Sequence, residues 1–163
     1  MIVEGDPVGI VEMLYVSSTV VVVGTKDRGT FSSKRITFWN TNEDIIGAEL
    51  SFTNPIKRIQ LNHTRILIGL EDVVYIYDYD LREITKIKLC NISVRCVLSP
   101  TAEFPYLAIS SGVFGEGLTI YDVTDGKLLT SFKAHKSPVH HLVFNERGTT
   151  LASASTKVKL KII

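Results

Sequence analysis

Three short segments of this chain end alike. Phe38-Trp39-Asn40, Ile76-Tyr77-Asp78 and Ile120-Tyr121-Asp122 are each an apolar-aromatic pair closed by Asn or Asp, 38 and then 44 positions apart. β-Branched and aromatic side chains suit a pleated, half-buried strand, and Asn or Asp suits the turn that follows it. After each turn comes one more strand pattern: Ile45 to Phe52, Ile84 to Leu89, and Leu128 to Phe132. A period of roughly 40–45 residues with four short strands per unit is that of a β-propeller blade. The expected fold class is therefore all-β.

Other strand patterns fill out the repeats. Val20 to Val23 form one, Arg65 to Gly69 and Val73 to Tyr77 flank the acidic turn Glu71-Asp72, and Tyr106 to Ile109 and Leu118 to Tyr121 flank Gly112 to Gly117. No window shows a sustained helical period with caps. Residues 10–54, 55–92 and 93–136 then make three blades, and 137–163 supply most of a fourth. Propellers close with at least four blades and often more. About three and a half blades leave sheet faces and edges uncovered, so the sequence reads as a piece of a larger ring or as a product that a partner completes.

Length and composition narrow the function classes. A chain of 163 residues that is 45% hydrophobic can bury a real core. A formal net charge of +1 argues against a dedicated nucleic-acid binder. Val20 to Val23 are far too few to span a bilayer as a helix. The opening residues carry an acid and a proline where a signal peptide needs basic and then apolar residues, so a soluble, cytosolic protein is expected. Cys90 and Cys96 form no C-x-x-C pair, and no metal or cofactor is expected. The sequons Asn62-His63-Thr64 and Asn91-Ile92-Ser93 carry no weight in a cytosolic chain. Nucleophile-elbow, P-loop, His-Glu-x-x-His and Rossmann signatures are all missing from the sequence. Gly112 to Gly117 joins two strands instead of opening a helix, so it cannot seat a phosphate on a helix N-terminus. No enzymatic activity is expected.

The stretch Ala134-His135, Ser137-Pro138-Val139, Leu142-Val143-Phe144-Asn145, Gly148-Thr149 and Leu151-Ala152-Ser153-Ala154-Ser155 resembles the WD repeat. In that repeat a histidine and a serine or threonine on neighbouring strands bond to hold the blade together. Further segments resemble the PROPPIN family, phosphoinositide-binding propellers of autophagy. They are Val11 to Tyr15 with Ser17-Ser18 and the valine strand ending at Gly24; Ser32-Ser33-Lys34-Arg35-Ile36; and Pro55-Ile56, Gln60-Leu61-Asn62, Arg65-Ile66 and Tyr75 to Asp78. Leu98-Ser99-Pro100, Tyr106-Leu107-Ala108 and Lys133 to Pro138 complete the set. The likeness runs from about residue 10 to about residue 156 and corresponds to blades two to five of a WD40-type propeller of seven.

The resemblance implies a non-catalytic adaptor recruited to membranes carrying phosphatidylinositol 3-phosphate or the 3,5-bisphosphate. It implies a cytoplasmic protein associated peripherally with autophagosomal precursor, endosomal or vacuolar membranes. Autophagy lipid-transfer or conjugation-machinery proteins are the implied partners. Two rim pockets flank a Phe-Arg-Arg-Gly motif in that family, and residues matching His135 and Ser155 belong to the first. This sequence contains no Phe-Arg-Arg-Gly, and the family's Gly-Thr after the serine turn is either replaced by Val158-Lys159 or deleted. The second pocket is accordingly not expected within these residues.

Phosphate needs guanidinium, ammonium, imidazole, hydroxyl or backbone N–H donors. The candidate lipid-binding residues are His135, Ser155, Lys133, Thr156 and Ser153, with Lys136 as a further point charge. Two readings of His135 stay open, a brace within the blade and a donor to a head group. Lys157, Lys159 and Lys161 alternate with apolar residues, which suits either an anionic surface or an edge strand guarded against pairing. His140 and His141 are expected to point to opposite faces of a regular strand and so not to share a metal. Ser33, Lys34 and Arg35 match a family loop that docks a protein partner; a solvated hairpin is the other reading. A plain WD-repeat scaffold that binds proteins only is the rival to the lipid-binding adaptor.

Overall fold

The computed structural model describes residues 7–15, 17–89, 95–157 and 160–163. Cys90, the sequon at Asn91, Val158 and Lys159 lie outside them, as do the first six residues. Among the described residues, fifteen strands are arranged in four antiparallel sheets, each a meander in chain order. The first sheet holds β1 (Val8–Met13), β2 (Thr19–Gly24), β3 (Arg35–Asn40) and β4 (Ile45–Ser51). The second holds β5 (Arg58–Leu61), β6 (Ile66–Gly69), β7 (Val73–Tyr77) and β8 (Glu83–Lys88). The third holds β9 (Cys96–Leu98), β10 (Tyr106–Ser111), β11 (Gly117–Asp122) and β12 (Leu128–Lys133). The fourth holds β13 (Val139–Phe144), β14 (Leu151–Ser155) and β15 (Leu160–Ile162).

Period-two alternation explains why the sheets stack like blades. On β6, Ile66 and Ile68 face one way and join Val21, Val23 and Ile36 of the first sheet in a shared core. Leu67, between them, faces the other way and packs with Leu107 and Ile109 of the third sheet. On β10, Ala108 lies between those two residues and turns toward Val139 and Leu151 of the fourth sheet. A strand packed on both faces reads as a continuous apolar run, which is why Ile66-Leu67-Ile68 shows no polar alternation. Full burial of each such side chain contributes about 1.5–3 kcal/mol.

Among the described residues, nothing covers one face of each of the two end sheets. Val11 and Met13 on β1 are exposed, as are Val143, Leu160 and Ile162 on the fourth sheet. The first strands of successive sheets lie against one another, β1 with β5, β5 with β9 and β9 with β13, and form the inner edge of the arc. Polar clips join neighbouring sheets near this edge. Asn62 Nδ2 donates to Ser99 O at 2.8 Å, Arg65 Nε to Val123 O at 2.8 Å, and Leu98 N to Gln60 Oε1 at 2.9 Å.

Candidate functional site

The turn from β12 into β13 carries Lys133, Ala134, His135 and Lys136, and backbone bonds fix its path. His135 N donates to Glu116 O at 3.0 Å and Val139 N to Gly115 O at 2.8 Å, so this turn is tied to the β10–β11 loop. Gly115 adopts a φ of 73°, which favours glycine where that loop reverses. With its backbone so held, His135 points inward: only 6% of its surface is exposed, and its Nε2 lies 2.9 Å from Ser153 Oγ. Ser153 is itself buried in the middle of β14. Burial pushes the imidazole below its ordinary range, and the nearby Lys161 ammonium adds to that effect. A neutral ring bonded to a buried hydroxyl is a brace between the turn and the second strand of the blade.

The same histidine forms the floor of an open cavity of 670 Å³, whose other walls are Lys133, Ala134, Lys136, Leu160 and Lys161. Lys133 Nζ sits 3.9 Å from Glu116 Oε1, and its side chain is 68% exposed. Lys161 Nζ rides 5.2 Å above the Phe132 ring. Three lysines and a histidine therefore line one concave surface, a donor set suited to an anion.

The structure brings only part of the sequence-derived set together. Lys133 and His135 line the cavity, while Ser153 is already engaged by His135. Ser155 is buried at the end of β14, opposite Val139, and Thr156 is exposed beyond it with its N–H on Pro138 O at 3.0 Å. Neither lines the cavity. Lys161 was legible only as half of an alternating pattern. The register that pairs it with Ser153 puts both on one face of the sheet and so beside His135. Leu160 and Ile162 alternate with it and are exposed, and of the two only Leu160 borders the cavity. Cross-strand partnership was the missing signal, and it needs the register of β14 against β15.

The Ser33-Lys34-Arg35 segment is bound into its own loop. Ser33 Oγ donates to Asp27 Oδ1 and Lys34 Nζ to Asp27 Oδ2, both at 2.7 Å. These bonds, Lys34 first, hold the Asp27 carboxyl below its usual range. Arg35 Nη2 donates to Thr30 O at 2.7 Å. Its Nε lies 3.3 Å from Glu49 Oε1, close enough to pair but not aligned for a hydrogen bond. These bonds knit residues 26–35 together, while residues 25–30 stay exposed to solvent.

His140 and His141 depart from the expectation of opposite faces. The register slips between Val139 and His141, making His140 the extra residue of a β-bulge. The two rings consequently meet edge to face with centroids 4.5 Å apart. Among the described residues no cluster of three or more His, Cys, Asp or Glu could hold a metal ion.

Stacked antiparallel meanders, three of four strands and one of three, with a histidine ahead of a blade's first strand bonded to a serine on its second, define an arc of a WD-type β-propeller. Residues 3–163 match the PROPPIN family, and the chain belongs to it. The chain is 31% identical over 172 residues to Autophagy-related protein 18 of Yarrowia lipolytica, covering 91% of this chain and 43% of that protein. The protein of the same name from Schizosaccharomyces pombe is 32% identical, with 90% and 44% covered. Two solved structures share the fold. The complex of KlAtg21 with the coiled coil of AgAtg16 superposes with a TM-score of 0.84 at 20% identity, over 99% of this chain and 53% of that one. Kluyveromyces lactis Hsv2 with its complete loop 6CD gives 0.79 at 19% identity, over 96% and 47%. The chain spans less than half the length of these curated relatives. The family is non-catalytic.

Proposed function

We propose that this chain forms part of a propeller that is recruited to membranes carrying phosphatidylinositol 3-phosphate or 3,5-bisphosphate, as an adaptor in autophagy. The observation that carries this reading is the convergence of Lys133, Lys136 and Lys161 around His135 in a PROPPIN arc. Each lysine near an anionic surface contributes about 1 kcal/mol. His135 offers its remaining ring nitrogen and holds the turn that presents the two flanking lysines. Ser155 and Thr156 join the head group only if it reaches past the cavity toward the end of β14. The site serves the cytoplasmic surface of autophagosomal precursor, endosomal or vacuolar membranes.

Partners from the autophagy lipid-transfer or conjugation machinery dock elsewhere on the arc. KlAtg21 was solved with a coiled coil of AgAtg16, and a comparable partner suits this fold. The ordered Ser33-Lys34-Arg35 loop is the proposed protein-facing element, because its shape is set before any partner arrives. A protein-only scaffold is the second reading, favoured by the engagement of His135 with Ser153.

Vesicle flotation separates the two. Vesicles with phosphatidylinositol 3-phosphate are expected to carry more of the chain up the gradient than vesicles of equal charge made with phosphatidylserine. Equal flotation on both, or none on either, would assign the chain to the scaffold reading.

A further inference from the structure

The inner edge of the arc holds a second concentration of positive charge that shares no residue with the His135 cavity. Arg58 on β5 reaches across to the third sheet, where its Nη1 bonds to Cys96 O and lies 3.8 Å from Cys96 Sγ. Arg95 immediately precedes β9, and its side chain lines the same space. From the fourth sheet the β-bulge delivers both imidazoles of His140 and His141 to that space instead of one. These groups, with Leu142, enclose a cavity of 200 Å³. A larger cavity of 440 Å³ also has Arg58, Arg95 and Cys96 in its walls and adds Lys57.

We propose that this inner-edge cavity binds a small phosphorylated anion. Three sheets contribute to it, so its donors are positioned by the stacking of the blades and not by one flexible loop. Among the described residues no carboxylate lines the smaller cavity. Glu71 lines the larger one, and Glu12 on β1 is close enough to Arg58 to feel its charge. Two guanidinium groups and two imidazoles with so little counter-charge are a poor arrangement for an apolar ligand or a cation. They are a good one for phosphate, whose oxygens take the paired N–H groups of arginine. At about 30 Å³ of liquid per water molecule, 200 Å³ admits one phosphoryl group with its closest waters. The bulge gives the site its logic: a regular strand would turn one of the two rings away.

The free-anion and lipid sources of phosphate are distinguishable by NMR on the full chain. The ring signals of its four histidines are followed while inorganic phosphate is added, with sodium chloride at matched ionic strength as the control. His140 and His141 are expected to move along saturating curves, with His63 unmoved. Arg95→Ala and, as a gentler variant, Arg95→Gln are each expected to weaken binding by at least about tenfold at unchanged melting temperature. Lys133→Gln is expected to leave it unaltered. Chloride-like, non-saturating shifts would overturn the proposal, as would unchanged affinity in both Arg95 variants. A response to phosphatidylinositol 3-phosphate vesicles without one to phosphate would overturn it too.

Discussion

Ser153 is the residue on which the blade's internal polar bond turns. It is 1% exposed and its hydroxyl meets His135 Nε2, so Ser153→Ala leaves a buried ring nitrogen without its partner. We expect a loss of about 1–3 kcal/mol in urea unfolding, with an unchanged m-value. The same histidine sets a pH dependence whose sign is fixed. Its folded pKa is depressed below 6.5, so the unfolded chain binds the extra proton first. Stability from this group is complete above the unfolded value and is lost as pH falls from there through the folded value. Denaturation midpoints measured from pH 8 down to pH 5 should decline over that window, and His135→Gln should flatten the decline. The histidine and a serine-rich partner strand were readable from the WD pattern. Which serine it takes was not, because the choice depends on the path of a turn fixed by Gly115 and Glu116 backbone atoms.

At the scale of elements, the Asx-closed triplets and apolar runs revealed the strands because both are rich in β-branched and aromatic side chains that suit a packed, pleated surface. Val20 to Val23, Ile66 to Ile68 and Leu107 to Ile109 are the buried second strands of the first three sheets. The bulge at His140 was invisible because it is a property of the pairing of β13 with β14, and no local residue preference announces it. The clips between sheets were equally hidden. Asn62, 1% exposed, accepts from Thr64 N and Arg65 N through Oδ1 while its amide holds Ser99 O of the next sheet. Tyr79 Oη caps the same corner by donating to Asn62 O at 2.7 Å, and burial pushes its pKa up to about 12. Asn62→Ala should therefore cost about 2–4 kcal/mol. Asn62→Asp should also destabilise, since it sets a carboxylate against the Ser99 carbonyl. Chemical denaturation of both variants checks this, and a neutral effect would mean the corner is not a joint between blades.

For the whole molecule, repeat spacing alone pointed to a propeller, and family resemblance supplied the lipid. The lysine-lined cavity became visible only in the folded arc, since Lys133 ends β12, Lys136 lies in the turn after it and Lys161 comes from β15. Charge at that one place outweighs the near-neutral total: three lysines facing an anionic surface contribute about 3 kcal/mol together. The most direct measurement is the partition coefficient of the chain on phosphatidylinositol 3-phosphate vesicles, compared between the wild type and a Lys133→Gln, Lys136→Gln, Lys161→Gln triple variant. The account predicts a fall of about a hundredfold with the melting temperature little changed. Equal partitioning of the two proteins would contradict it.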